Sequence, residues 1–350
     1  MNATSALPAG GVASTPPARR HTGRCLRQLA LLALLLGVMI ARVLLGTPVI
    51  APADALAVLR GEMIPGVSFI VLHSRLPVTV VGVLAGIAFG AAGCLFQTLL
   101  RNPLASPDVI GVSLGASTGG VLALAVASTA AGAQFWGSLI GGVTTAVLVL
   151  LIAGAHRGTA GRGRVDNRFV LVGVGIGAAL SAVISYVVTR LPSRAAGDAL
   201  HWSIGSLTSS TWPRAQVLAL SLAVLLPLLA ALRTRLRILQ LGEETAAGLG
   251  VPVVTTRLAL IGLGVLFTSL AVAVTGPIAF VALLAGPIAR ALAGRPSLVD
   301  SALVGAVIVV GGDVLGSTAF GPVDLPVGVL TGALGAPFLL WLLTRTEENR

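Results

Sequence analysis

Long uninterrupted apolar stretches dominate the pattern of this 350-residue chain. Helices of roughly 20 apolar residues cross about 30 Å of hydrocarbon, whereas membrane strands are about half as long and alternate in polarity. The pattern therefore predicts an all-α polytopic membrane protein with about ten transmembrane helices. The ten predicted spans are residues 28–46, 77–100, 109–131, 134–155, 168–190, 215–232, 256–275, 277–293, 299–320 and 326–344.

Two short tails flank the predicted transmembrane domain of residues 28–345. Residues 1–27 are rich in Gly, Pro, Ser and Thr, a composition typical of disorder, and residues 346–350 form the other tail. Because the number of spans is even, both tails are predicted on the same side of the membrane.

Charge placement decides which side that is. All 23 basic residues are arginines, and in the ten-helix arrangement 17 of them lie on the side of the termini. The remaining six are Arg42, Arg60, Arg75, Arg190, Arg194 and Arg214. Cytoplasmic loops carry an excess of positive charge, so the sequence predicts cytoplasmic termini. The net charge of +11 thus reflects topology, and no nucleic acid partner is expected.

Several kinds of chemistry are missing from the sequence. A P-loop needs a lysine and the chain has none, so any ATP must be hydrolysed by a partner. Asp313, near the outer end of the predicted ninth span, is the one acid expected to be clearly buried, and we interpret it as structural rather than as an ion-coupling site. Cys25 and Cys94 lie far apart, and the four histidines fall in loops or the tail. We therefore predict no enzymatic activity, no metal site and no cofactor bound by this chain.

Small residues recur at helical spacing in three predicted spans. The stripes are Gly82, Gly86 and Gly90; Gly111, Gly115 and Gly119; and Gly173, Gly177, Ser181 and Ser185. Close helix packing is the usual reason for such stripes. The alternative, for the third stripe especially, is a weakly polar wall along which a large solute moves.

The segment 239–252 is unusual because it is acidic, helix-forming and too short to span a membrane. Glu243 and Glu244 begin a helical turn that Gly250 ends, and Leu241, Ala246 and Leu249 are apolar. An apolar patch outside the bilayer indicates a docking surface. A turn packed against its own bundle is an equal alternative from this segment alone.

Five blocks in order give the chain a resemblance to a known family. They read RLPVTVVGVLAG, LFQTLLRNPLASPDVIGVSLGAS, LGEETAAGLGV, GPIAFVALLAGPIAR and DLPVGVLTGALGAPFLLWLL. Together they resemble the membrane permeases of ATP-binding-cassette (ABC) importers for iron chelates and cobalamin, over residues 28–345. The resemblance implies a type II ABC importer permease fold of ten helices.

The resemblance also implies partners and residue roles. A second permease subunit, with a heterodimer favoured, would form the pathway with this one, while two cytoplasmic ATPases would carry ATP and Mg²⁺ and an extracytoplasmic protein would bind the siderophore. The ATPase-coupling residues would be Leu241, Gly242, Glu243, Glu244, Ala246, Leu249 and Gly250. The pathway would follow Gly173, Gly177, Ser181 and Ser185.

Some positions depart from the family pattern. Of the arginines that dock the binding protein in similar permeases, Arg75 is present, whereas Val78 and Ser317 replace two others. We expect docking through Arg75, assisted by Arg60. Gly286 and Pro287 stand where similar permeases have Pro-His.

The function predicted is transport of a ferric siderophore by alternating access, closest to the catecholate branch. Three alternatives stay open: an ion-coupled secondary carrier working without an ATPase, an ABC permease for cobalamin or heme, and an enzyme acting on lipid.

Overall fold

The computed structural model describes residues 17–126, 132–153, 164–320 and 324–348, and every regular element within these ranges is a helix. The bounds are α1 Pro17–Leu44, α2 Pro52–Leu59, α3 Val67–Phe69, a π-helical segment Ile70–Arg75, α4 Leu76–Leu99, α5 Val112–Val126, α6 Ala133–Ala153, α7 Arg164–Arg190, α8 Ser193–Ser203, α9 Trp212–Leu239, α10 Glu243–Gly248, α11 Val253–Thr275, α12 Val281–Ala293, α13 Leu298–Thr318 and α14 Val327–Glu348. The all-α class is confirmed for these residues.

Within the described ranges, seven helical stretches are long and apolar enough to cross a membrane. They contain α1, the continuous run from α3 to α4, α6, α7, α9, α11 and α13. The predicted third, eighth and tenth spans correspond to shorter apolar stretches, Val112–Val126 in α5, Val281–Ala293 in α12 and Val327–Leu340 in α14. A multi-pass membrane protein is thus established, whereas a total of ten spans stays a prediction.

Both predicted tails are partly helical. α1 begins at Pro17, eleven residues before the predicted span, and α14 continues to Glu348. Proline suits the first turn of a helix, because its missing N–H would have no partner there. The disorder predicted for residues 1–27 stays a prediction, and residues 1–16 lie outside the described ranges.

Two long connections between the predicted spans contain helices that the sequence pattern did not predict. α2, α3 and the π-helical segment lie between α1 and α4, and α8 lies between α7 and α9. These elements are too short to give a spanning signal. The first connection has a small core of its own that includes Ile50, Val58 and Val71.

α4 is the central helix and packs against α9, α11, α12 and α13. Its glycines allow this close approach, since a Cβ added at Gly86 would overlap the backbone of Ala306, and one at Gly90 would overlap the carbonyl of Ser301. Both partners lie on α13. The packing interpretation is therefore confirmed for these two glycines.

A proline inside α12 explains another contact of α4. Pro287 has no N–H, so the carbonyl of Leu283, four residues earlier, lacks its helical partner. The buried side chain of Gln97 on α4 donates its amide to this carbonyl at 3.0 Å. Gly286 leaves the space that Gln97 occupies, because a Cβ there would overlap the amide oxygen. The Gly-Pro pair thus has a structural role in this chain.

Irregular backbone lies between helices just before α12 and delays its start. Residues 276–280 precede α12, and Gly276 and Phe280 have positive φ angles of 72° and 62°. The amide of Ser206 donates to the carbonyl of Thr275 at 2.9 Å. The amide of Gly328 donates to the carbonyl of Gly205 at 3.1 Å. Non-helical backbone is tolerated at membrane depth where protein groups satisfy it in this way.

Candidate functional site

The predicted coupling segment forms a separate short helix, α10, between α9 and α11. Gly242 and Gly250, with φ angles of 119° and 78°, allow the sharp reversals at its two ends. Glu243 and Glu244 occupy the first turn, where the positive end of the helix dipole favours acidic side chains. The amide of Val251 donates to the carbonyl of Ala246 at 2.9 Å and closes the turn.

The side chains of α10 divide into an inner and an outer set. Ala246 is fully buried and anchors the turn to the bundle, so it does not belong to the exposed patch expected from the sequence. Leu241 and Leu249 are 64% and 61% exposed. Two large apolar side chains thus face outward on a segment that lies beyond the apolar part of the bundle.

Two polar contacts hold α10 and the end of α9 to their surroundings. Glu243 forms an ion pair with Arg257 on α11. Arg101, in the turn after α4, donates from its guanidinium to the carbonyl of Leu239 at 2.9 Å, where α9 ends. A movement of α10 would therefore be transmitted to α9, to α11 and to the turn that follows α4.

The residues predicted to line the pathway separate into two pairs along α7. Gly173 and Gly177 are buried. A Cβ added at Gly173 would lie 2.8 Å from the Cα of Ile110, and one added at Gly177 would lie 3.2 Å from the side chain of Leu114. Ser181 and Ser185 are exposed, and their hydroxyls donate to carbonyls of the preceding turn at 3.0 and 2.9 Å. The serine half presents a surface of low polarity, because its hydroxyl protons are already used.

Arg75 occupies a different environment from the one expected. It is only 4% exposed, and its guanidinium donates to the carbonyls of Val43, Leu44 and Pro48 at 2.8, 3.0 and 2.5 Å. The first two of these carbonyls end α1 and have no helical partner of their own. Arg75 therefore caps α1 and offers an external protein almost no surface, whereas Arg60 at the end of α2 is exposed.

Acidic side chains tie the first helix to α13. Asp313 forms an ion pair with Arg42 of α1, which supports its interpretation as structural. Asp300 was missed by the sequence reasoning. It is fully buried, and its carboxylate accepts from Arg27 at 2.8 Å and from Gln28 at 3.1 Å. The hydroxyl of Ser297 accepts from the amide of Asp300, so Ser297 caps the start of α13. This capping pattern is the sequence signal that could have pointed to Asp300.

Asp108 is a third buried acid, in the turn between α4 and α5. One carboxylate oxygen accepts from the hydroxyl of Ser113, and the other has no hydrogen-bond partner among the described residues. Burial raises the pKa of this carboxyl, against the opposing effect of Ser113. Within the described ranges, no group of three or more His, Cys, Asp or Glu side chains could hold a metal ion.

The family of the chain is established by sequence comparison. A model of the FecCD transport family matches residues 32–345. The chain belongs to the FecCD transport family. Membership makes this FecCD protein a transport component rather than an enzyme, as the sequence predicted.

Named relatives of this FecCD protein are permeases. The ferric enterobactin transport system permease protein FepG of Escherichia coli is 34% identical over 308 residues, which cover 87% of this chain and 91% of FepG. The achromobactin transport system permease protein CbrC of Dickeya dadantii is 36% identical over 327 residues, which cover 91% of each.

A solved structure supports the fold of this FecCD protein. An inward-facing structure of a metal-chelate type ABC transporter superposes with a TM-score of 0.77 at 23% identity, over 91% of this chain and 98% of the other. The resemblance to ABC importer permeases of iron chelates is confirmed by the family match and by the permeases FepG and CbrC.

Proposed function

We propose that this chain is the permease subunit of an ABC importer that carries a ferric siderophore across the bacterial inner membrane, with both termini in the cytoplasm. FepG and CbrC are named for enterobactin and achromobactin, and each is similar to this chain over nearly its whole length. The observation that carries the proposal is α10, which presents Leu241 and Leu249 to a partner.

The partner that we assign to α10 is a cytoplasmic ATPase that binds ATP and Mg²⁺. The chain has no lysine with which to build a P-loop of its own. An ATPase that binds Leu241 and Leu249 would move α9 and α11, because α10 follows α9 directly in the chain and Glu243 pairs with Arg257 on α11. Transport would thus be powered from outside the bundle, which distinguishes the proposal from a secondary carrier.

The pathway in this proposal runs along the exposed half of α7. Ser181 and Ser185 would face a second permease subunit across the pathway, with a heterodimer favoured. The hydroxyls of both serines already donate to backbone carbonyls, so they would bind a large polar chelate only weakly as it passes. Gly173 and Gly177 would serve a different purpose, since they let α7 pack on the turn that holds Ile110.

Docking of the siderophore-binding protein is assigned to the exposed Arg60 on the outer face, and Arg190 and Arg194, at the end of α7 and in α8, are also exposed. Arg75 would act indirectly, by fixing the end of α1 and the connection that carries Arg60. Arg60→Glu is therefore expected to weaken binding of that protein while the ATPase remains assembled.

Uptake by cells tests the proposal. A strain lacking this chain is supplied with radiolabelled iron in one siderophore at a time, catecholate first, and the chain is restored on a plasmid. We expect restored uptake of at least one ferric siderophore. Restoration of cobalamin or heme uptake, with every siderophore excluded, would assign the cargo to a different class.

A further inference from the structure

The last turn of α7 carries an exposed aromatic ring beside a positive charge. Tyr186 is 61% exposed, and the Cζ atom of Arg190 lies 5.2 Å from the centre of its ring. A guanidinium group within about 6 Å of an aromatic ring is attracted by the negative face of that ring. The two residues lie one helical turn apart and are here termed the Tyr–Arg pair.

The polar groups of the Tyr–Arg pair are not used by the described part of the chain. Arg190 makes no hydrogen bond there and is not among the arginines that form ion pairs. The hydroxyl of Tyr186 likewise makes no hydrogen bond within the described ranges. Thr189 is already engaged, because its hydroxyl donates to the carbonyl of Tyr186 at 2.7 Å. The guanidinium donors and the exposed ring are therefore available to a ligand.

The Tyr–Arg pair lies on the side of α7 that the bundle leaves open. Gly173 and Gly177 mark the packed side of this helix, whereas Ser185, Tyr186 and Arg190 are all exposed. Arg190 is also the last residue of the apolar stretch that α7 contributes to the membrane. The pair thus continues the open surface of the serines to the end of the span, which is the outer end in the proposed topology.

The chemistry of the Tyr–Arg pair restricts the ligand that fits it. Lipid chains cannot satisfy the guanidinium of Arg190, because a charge that faces hydrocarbon without a partner is costly. A ligand that satisfies both residues offers negative charge to Arg190 and a flat apolar surface to the ring of Tyr186. A small inorganic anion offers only the charge. The ligand expected here is therefore both anionic and aromatic.

We propose that the Tyr–Arg pair binds an anionic ferric catecholate as it enters the pathway. The negative charges of the catecholate oxygens outweigh the charge of Fe³⁺ in such a chelate, and flat aromatic rings form its outer surface. Arg190 donates to the catecholate oxygens, and Tyr186 stacks against one ring. This inference rests on the proposed function and on a pathway along α7, and it adds that the entrance selects its cargo by charge.

Direct binding of chelates to the assembled permease tests the proposal. The chain and its partner permease are placed in phosphatidylcholine nanodiscs without the siderophore-binding protein, and binding of radiolabelled chelates is measured by equilibrium dialysis. The probes are ferric enterobactin, a negative tricatecholate, and ferrichrome, a neutral trihydroxamate. We expect the unaltered complex to prefer ferric enterobactin. Arg190→Gln should weaken binding of ferric enterobactin about 10-fold, because a charge-assisted hydrogen bond is lost, and should leave binding of ferrichrome unchanged.

Three further variants separate the Tyr–Arg pair from other exposed groups. Tyr186→Phe keeps the ring and should bind ferric enterobactin as the unaltered chain does, whereas Tyr186→Leu should bind it more weakly. Arg60→Gln is the matched control, because Arg60 is also an exposed arginine but lies at the end of α2. This control should weaken binding of the siderophore-binding protein and leave direct binding of the chelate unchanged, which is the reverse of the effect expected for Arg190→Gln.

Several outcomes would overturn the assignment. Equal affinities of the unaltered complex for the two chelates would do so, as would unchanged binding of ferric enterobactin by Arg190→Gln. A loss confined to the siderophore-binding protein in Arg190→Gln would assign Arg190 to docking instead.

Should the variants not be recovered, the unaltered complex still decides. Its affinity for ferric enterobactin must fall as NaCl rises from about 0.05 to about 0.5 M, and an affinity insensitive to salt refutes the charge-based contact. Failure of the proposed function is recognised separately. In that case the unaltered chain restores uptake of no ferric siderophore in cells, and the inference falls with it.

Discussion

Leu249 is the residue at which the contact between α10 and an ATPase can be tested most sharply. Its side chain is 61% exposed, so a partner can remove more than half of its surface from water. Burying a whole leucine contributes roughly 1.5–3 kcal/mol, and the exposed part therefore contributes about 1–2 kcal/mol. Leu249→Ala should weaken the affinity for the ATPase by about 5- to 30-fold.

The assay is the dissociation constant of the purified ATPase for the chain in lipid nanodiscs. Leu292→Ala is the control, because Leu292 is also an exposed leucine but lies at the end of α12. Both variants should keep the thermal stability of the unaltered chain, since each removes an exposed side chain. Leu249→Arg should cost more, because it places a charge in the contact, and should uncouple ATP hydrolysis from transport. An unchanged dissociation constant for Leu249→Ala would refute the assignment of α10.

Three further predictions concern stability, each measured by thermal unfolding in detergent. Gly90→Ala should destabilise the chain by about 1–3 kcal/mol, since the added methyl group overlaps α13. Gly262→Ala is the control and should not destabilise the chain, because its methyl group meets nothing within 4 Å. Equal changes in the unfolding temperature of the two variants would argue against the helix contact. Asp300→Asn should lower the free energy of unfolding by about 3 kcal/mol, because it leaves Arg27 unpaired. Adding Arg27→Gln to that variant should recover part of the lost stability. An unaltered unfolding temperature for Asp300→Asn would contradict this. Burial raises the pKa of Asp108 in the folded state, so the stability of the chain should fall as pH rises through that pKa. Asp108→Asn should therefore be the more stable chain at neutral pH, and this difference in stability should be lost below about pH 4. A difference in stability that does not depend on pH would refute this.

The spans were predictable because the membrane imposes a strong and local requirement. Residues in a lipid-facing helix must be apolar whatever their neighbours are, so the pattern alone places α11 at 256–275 and α13 at 299–320, close to the observed Val253–Thr275 and Leu298–Thr318. α12 was predicted from 277 but begins at Val281. Its preceding residues are apolar yet irregular, because packing inside the protein satisfies their backbone.

The direction of individual polar side chains was not predictable in the same way. Arg75 was expected to face a partner, but it reaches carbonyls more than 25 residues earlier in the chain. Asp300 likewise pairs with Arg27, 273 residues away. Ala246 was grouped with Leu241 and Leu249 by its apolar character, although only the packing of α10 decides which of the three is buried. Such contacts depend on tertiary structure and leave no local periodic signal.

Transport by reconstituted vesicles tests most directly whether the driving force comes from a separate motor. The chain is inserted into liposomes with its partner permease, the ATPase and the siderophore-binding protein, and accumulation of a radiolabelled ferric siderophore is followed. We predict accumulation when ATP is supplied on the ATPase side, and none when the ATPase is omitted and a proton or sodium gradient is imposed. Accumulation driven by such a gradient without the ATPase would contradict the account.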